Sequence, residues 1–173
     1  MLGLGRLYDI GIALVPVDLS TAGATGKRVS MEGCSGIDIV LLYAVGTDGD
    51  DPVPSLQQHT AYTGGTTADL ATIDTIYRKS EATLDGDETW IKTTQTAAAI
   101  MTAVADTAQL QNIYVIHVPA SALDAGYSHI SVNEADLSNN AHLGAILYIK
   151  VGLAHPRTPA NLSNMLRPGA ANA

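Results

Sequence analysis

The sequence predicts an all-β chain, folded as an antiparallel β-sandwich or barrel. Three observations carry this expectation. Short β-branched and aliphatic runs recur along the 173 residues, separated by turn signals rich in Gly, Asp and Pro. Only residues 96–105 have a composition that favours helix. Many short strands with few helices select a sandwich or barrel over the other layered architectures.

Three runs are the strongest strand signals. Residues 37–45 lie between Gly36 and Gly46 and lack an alternating polar face, so a central strand buried on both faces is expected. Residues 113–118 read the same way and stop at Pro119, which has no N–H for a ladder. Residues 143–151 form the third run, with Tyr148 and Lys150 expected on its more exposed face. Weaker strand patterns cover residues 9–17, 28–31, 53–59, 74–78, 88–93 and 128–132. Pro16 marks the end of the first of these or an edge position. Asp85-Gly86-Asp87 is a hairpin-type turn joining residues 74–78 to 88–93. Residues 96–105 fit either a short helix or an irregular loop, because alanines favour helix while threonines and short length oppose it. A turn of helix is expected at residues 120–123. The predicted core is Ile39, Leu41, Tyr114, Ile116, Ile130, Val132, Leu147 and Ile149.

Length implies one domain, placed at residues 8–153, with an arm at each end. Residues 1–7 carry Leu2, Leu4, Arg6 and Leu7 between glycines. Residues 154–173 carry Arg157, Leu162, Met165, Leu166 and Arg167 among Pro156, Pro159 and Pro168. Apolar side chains on segments too short to fold alone need a surface to lie on, so these residues are the expected interface.

Composition narrows the function. Charged residues are 15% and the net charge is −8, a poor basis for phosphate binding, so no nucleic-acid partner is expected. The longest apolar run, residues 39–45, is far short of the about 20 that a spanning helix needs, so no membrane partner is expected either. The first residues lack a basic region followed by an apolar one, and synthesis without a secretory leader is expected. Cys34 is the single cysteine, which excludes an internal disulfide and a thiolate cluster.

Chemistry-bearing patterns are sparse. None of the five histidines forms the zinc-protease spacing. His117 and His129 would have to meet across adjacent strands to share a metal; single histidines satisfied within the sheets are the simpler account. The acidic turn at residues 47–51 departs from the EF-hand pattern and fits a solvated turn. No Gly-x-Ser-x-Gly turn is present, and Cys34 has no local activating cation beyond Arg28. The expectation is therefore no catalytic residue, no cofactor and no metal. Trp90 alternates with Ile91, so one of the two faces out, either as a binding anchor or packed at a sandwich rim.

Four stretches, residues 114–124 (Tyr-Val-Ile-His-Val-Pro-Ala-Ser-Ala-Leu-Asp), 127–132, 141–149 and Pro156-Arg157, together resemble a group of tailed-phage virion proteins. Residues 37–45 and the paired glutamines in Leu56-Gln57-Gln58 add to the resemblance, which spans about residues 25–157. Proteins of that group are capsid decoration, or cement, proteins with a jelly-roll-like β-sandwich. The resemblance implies a non-enzymatic structural protein on the capsid exterior, made in the host cytoplasm. It would bind the major capsid protein and self-associate as a dimer or trimer. This chain departs from the pattern in a longer middle, residues 63–108, and a longer C-terminal tail. A carbohydrate- or receptor-binding jelly-roll module is the alternative, since such folds host lectins too.

Overall fold

The computed structural model describes residues 3–104, 107–137 and 141–155. The strands in chain order are β1 (Tyr8–Asp18), β2 (Ala24–Thr25), β3 (Val29–Ser30), β4 (Gly36–Tyr43), β5 (Ser55–His59) and β6 (Thr67–Asp69). They continue as β7 (Ile73–Glu81), β8 (Ile91–Ala98), β9 (Gln111–Pro119), β10 (His129–Glu134) and β11 (Leu143–Val151). A single 3-10 turn, Ala120–Ala122, follows Pro119 as expected. One sheet has the order β1-β11-β4-β9-β7-β8 and the other β2-β10-β5-β6, with β3 also on β10. Every ladder is antiparallel. The chain passes repeatedly between the β1-β11-β4-β9 layer and the β2-β10-β5-β6 layer, which is the winding of a jelly roll. The β7–β8 hairpin is inserted between β6 and β9, and it widens the first sheet to six strands. It lies within residues 63–108.

The core lies between the sheets. Ile37, Ile39, Leu41, Tyr114, Ile116, Val118 and Ile146 meet Val29, Leu56, Ile130 and Val132 there, all buried. Six of the eight predicted core residues belong to it. Leu147 and Ile149 do not: they are half-buried and face outward, while Tyr148 and Lys150 lie inside. The expected phase of β11 is therefore wrong by one residue, and a one-residue slip swaps every side chain between faces. Apolar residues occupy both faces of β11, so hydropathy leaves the phase open, and the polar tips decide it. Tyr148 Oη donates to Lys27 O at 3.0 Å and accepts from Val132 N at 3.1 Å. Lys150 Nζ donates to Glu32 O at 3.1 Å. A buried phenol or ammonium is tolerated once its tip is paired.

β4 also differs from expectation. Its burial alternates, so Asp38, Val40 and Leu42 form a half-covered outer face rather than a second buried one. Residues 96–98 complete β8, and residues 99–104 are neither helix nor strand. Gln95 holds them: Nε2 donates to Ile73 O and Ile100 O, and Oε1 accepts from Thr102 N and Ala103 N. β2 and β6 are too short to leave a periodic signal and were not expected. His117 and His129 lie on different sheets, which rules out the cross-strand pairing considered for them.

Gly26 marks one close approach of backbones. Its N–H donates to Val132 O, and a Cβ at this position would stand 2.1 Å from that oxygen. Gly26→Ala is expected to force the β2–β3 segment off β10 and destabilise the fold by at least about 2 kcal/mol, measured by urea unfolding.

Candidate functional site

The two sheets present opposite chemistry to the outside. On the outer face of the smaller sheet, β5 places Ser55, Gln57 and His59, β10 places His129, Ser131 and Asn133, and β6 adds Thr67 and Asp69. These groups bond to one another. Asn133 Nδ2 donates to Gln57 Oε1 at 2.9 Å, and Gln57 Nε2 donates to Asp69 Oδ1 at 3.4 Å. The His59 ring bridges Ser131 Oγ (2.8 Å) and Thr67 Oγ1 (2.9 Å). This outer face is a hydrogen-bonded polar lattice, in which Asn133 Oδ1 is buried without a partner among the described residues.

The Ser131–His59–Thr67 relay was not legible in the sequence, because its members lie 72 and 8 residues apart. It resembles a nucleophile–base pair, but two features oppose that use. Ser131 is 1% exposed, and the third member is a hydroxyl where an orienting carboxylate is needed. Burial, with Arg28 and His129 nearby, lowers the His59 imidazole to about 4, so it stays neutral near pH 7.

The six-stranded sheet turns an apolar face outward. Register places Ile12 opposite Leu147, Leu147 opposite Val40, Val40 opposite Val115 and Val115 opposite Tyr77. This row crosses five strands with the Tyr77 hydroxyl as its one polar group before it ends at Lys92 on β8. A parallel row runs Ile10, Ile149, Asp38, His117, and another runs Ala145, Leu42, Ile113, Lys79. Within the first of these, Asp38 Oδ1 and His117 Nδ1 are bonded across strands at 2.6 Å. Ile10, Ile12, Tyr77 and Trp90 are exposed and the central aliphatic residues are half-buried, with Pro16 and Leu84 flanking Leu42, Ile113 and Ala145 at one margin.

Trp90 stands at the β7–β8 corner of this face, 51% exposed, beside Tyr77 and Val115. Lys79 Nζ lies 5.4 Å from its ring centroid and 3.8 Å from Glu88 Oε2. Ile91 is exposed as well, so both members of the Trp90–Ile91 pair reach solvent, whereas alternation predicted one. Glu81, Asp87 and Glu88 are the one group of three potential ligand-bearing residues that converge among the described residues. Lys79 beside Glu88 balances part of their charge. Asp51, in the acidic turn considered for calcium, instead accepts from Thr107 N, Thr107 Oγ1 and Ala108 N.

A polar island lies at one end of the core. Tyr43 Oη donates to Glu134 Oε1. Burial raises the Glu134 carboxyl to about 8, although the Tyr43 bond pulls it down. Tyr43 is itself pushed well above its ordinary value by burial and by Glu134. His142 packs edge-on against the Tyr43 ring at 6.0 Å, and neither of its ring nitrogens has a hydrogen-bond partner among the described residues.

Of the interface residues expected from sequence, Leu4, Arg6 and Leu7 are described; Leu2, Arg157, Leu162, Met165, Leu166 and Arg167 lie outside the described residues. Residues 3–7 coil into a tight turn in which Gly3 O accepts from Arg6 N and Leu7 N. That turn leaves Leu7 70% exposed at the start of β1. Two elements of the sequence resemblance meet in space. Gln58 Nε2 donates to Asp124 Oδ2 at 2.6 Å, and Asp124 N donates back to Gln58 Oε1 at 2.9 Å.

No helix among the described residues is long and apolar enough to cross a membrane. Comparisons of the chain with family models, with curated proteins and with solved structures find no match.

Proposed function

We propose that the chain is a virion structural protein without enzymatic activity, a decoration (cement) subunit that sits on the outer surface of a phage head and stabilises it by non-covalent contact. The observation that carries this reading is the asymmetry of the sandwich. One outer face is a polar, internally hydrogen-bonded lattice suited to water, and the other is a largely apolar surface suited to contact. The sequence resemblance supplies the partner, the major capsid protein. Leu7, exposed beside β1, and the apolar residues of the C-terminal arm are further contact candidates. A net charge of −8 suits the outside of a shell, since a lining against packaged DNA would be basic.

Co-sedimentation with empty heads assembled without this protein tests the reading. Saturable binding is expected, with heads that melt at a higher temperature once loaded. Protein that stays in the supernatant at tens of micromolar would reject it. The Trp90–Tyr77 corner favours a second reading, carbohydrate or receptor binding, because exposed aromatic rings beside a cation form a stacking platform. Quenching or a spectral shift of Trp90 by added oligosaccharide, lost in Trp90→Ala, would favour that reading over the first.

A further inference from the structure

We infer that the outer face of the six-stranded sheet is a self-association surface: two copies of the chain pack it face to face. The inference rests on the contact-protein reading only in treating this face as a contact surface, and it names the partner there as a second copy.

Three features of the face select a second copy. The first is size. Six strands about 4.8 Å apart span roughly 24 Å, and three side-chain rows about 7 Å apart add roughly 20 Å along the strands. The projected footprint is about 500 Å² per copy, and side-chain relief makes the accessible area larger. Two copies then bury at least about 1,000 Å², the size at which specific interfaces separate from chance contacts. An area at this lower limit implies a dimer that dissociates on dilution.

The second feature is chemistry. In the row Ile12–Leu147–Val40–Val115–Tyr77 the first four side chains are aliphatic, and the Tyr77 hydroxyl lies at the β7 end, where Tyr77 is exposed. The one polar pair within the rows, Asp38 and His117, is already bonded to itself. Lys79 and Lys92 sit at the ends of their rows, on the β7–β8 side. An identical face is therefore complementary to this one through its aliphatic central row, with the partly exposed Asp38–His117 pair in a flanking row and the cations at the rim. Two sheets packed this way stand about 10 Å apart, with a two-fold axis in the plane between them.

The third feature is the shortage of cover within the chain. Residues 156–173 contain three large apolar side chains, Leu162, Met165 and Leu166. The face presents Ile10, Ile12, Val40, Leu42, Ile113, Val115, Leu147 and Ile149 besides its aromatics. The arm is too poor in apolar groups to cover them.

Sedimentation equilibrium of the full chain alone, without heads, tests this. A dimer of twice the 18.0 kDa chain mass is expected at about 100 µM, dissociating on dilution. Added salt should tighten it, because each copy carries a net charge of −8 and screening weakens that repulsion. Val115→Asp and Leu147→Asp each place a carboxylate in the central row and should weaken dimerisation at least tenfold. Circular dichroism and melting at low concentration check that the variants remain folded. Ile10→Ser, at the exposed margin, gives a milder second series, and Trp90 emission should redden on dilution of the wild type.

A wild type that is monomeric at 100 µM overturns the inference, and so does a trimer. A dimer insensitive to all three substitutions, or one lost on deleting residues 156–173 while the face variants leave it intact, does so too. A head and a second copy would compete for this face, so head binding is decided separately, by the co-sedimentation experiment.

Discussion

Ile146→Ala should cost about 2–5 kcal/mol of folding stability, and Leu147→Ala less than half as much. The difference follows from the phase of β11. Ile146 is fully buried between the sheets, whereas Leu147 faces outward and is half-buried. Truncating Ile146 leaves a cavity in a close-packed interior, while truncating Leu147 removes partly hydrated surface. For a chain of this length the Ile146 loss corresponds to a melting point lower by roughly 5–15 °C. Measurement at low micromolar concentration keeps self-association out of the comparison. Equal losses, or a larger one at Leu147, would mean that β11 is slipped by one residue and that Tyr148 and Lys150 face solvent.

Stability should fall between pH 6.5 and 8, and Glu134→Gln should abolish the fall. The Glu134 carboxyl is raised from 4.5 to about 8 by burial, so between those values the native state holds a proton that the unfolded state has released. Unfolding then becomes easier as pH rises, by up to about 1.4 kcal/mol per pH unit. His59 acts in the opposite sense. Its folded value is lowered from 6.5 to about 4, so stability is lost as pH falls through that range. The two slopes oppose each other between pH 4.5 and 6.5, and Glu134 acts alone above 6.5. His129, also lowered by burial, adds to the His59 slope, so the wild type should gain a little stability from pH 5 to 6.5 and lose about 2 kcal/mol by pH 8. Glu134→Gln keeps an acceptor for Tyr43 and carries no titrating proton, so it should be more stable than wild type at pH 8. A variant that falls in step with the wild type would show that Glu134 is ionised in the folded protein.

Much of the sheet framework was legible in the sequence, and the reasons differ by strand. Residues 113–118 and 128–132 were found because aliphatic and β-branched runs end at punctuating residues such as Pro119. The edges of β7 and β8 were harder. The hairpin was anticipated through Asp85-Gly86-Asp87, yet β8 begins three residues later than its pattern and continues into the alanines. Cross-strand pairing with β7 overrides the helix preference of Ala97 and Ala98, as tertiary contacts commonly do. The candidate site was hidden for a related reason. Residues on both faces of β4 and β11 are apolar, which reads as burial on both sides. In the fold, one of those faces is the outer apolar surface. Sequence pattern records that a side is apolar without recording what covers it. The His59–Ser131 relay and the Gln58–Asp124 clasp join residues more than 60 positions apart, beyond the reach of any local pattern.

The place of β11 in its sheet has a consequence for biogenesis. It is the last strand described, yet it is an interior one, between β1 and β4. Until residues 143–151 leave the ribosome, the facing edges of those two strands lack their partner. At roughly 5–20 residues per second, the wait after β4 is several seconds or more. During that time the nascent chain exposes unpaired strand edges bordered by apolar side chains, the arrangement most prone to pairing with another chain. A protein made in many copies at once would need either slow initiation or a holding chaperone to pass through that interval. Translation stopped before residue 143 should yield an aggregating product instead of a smaller sandwich.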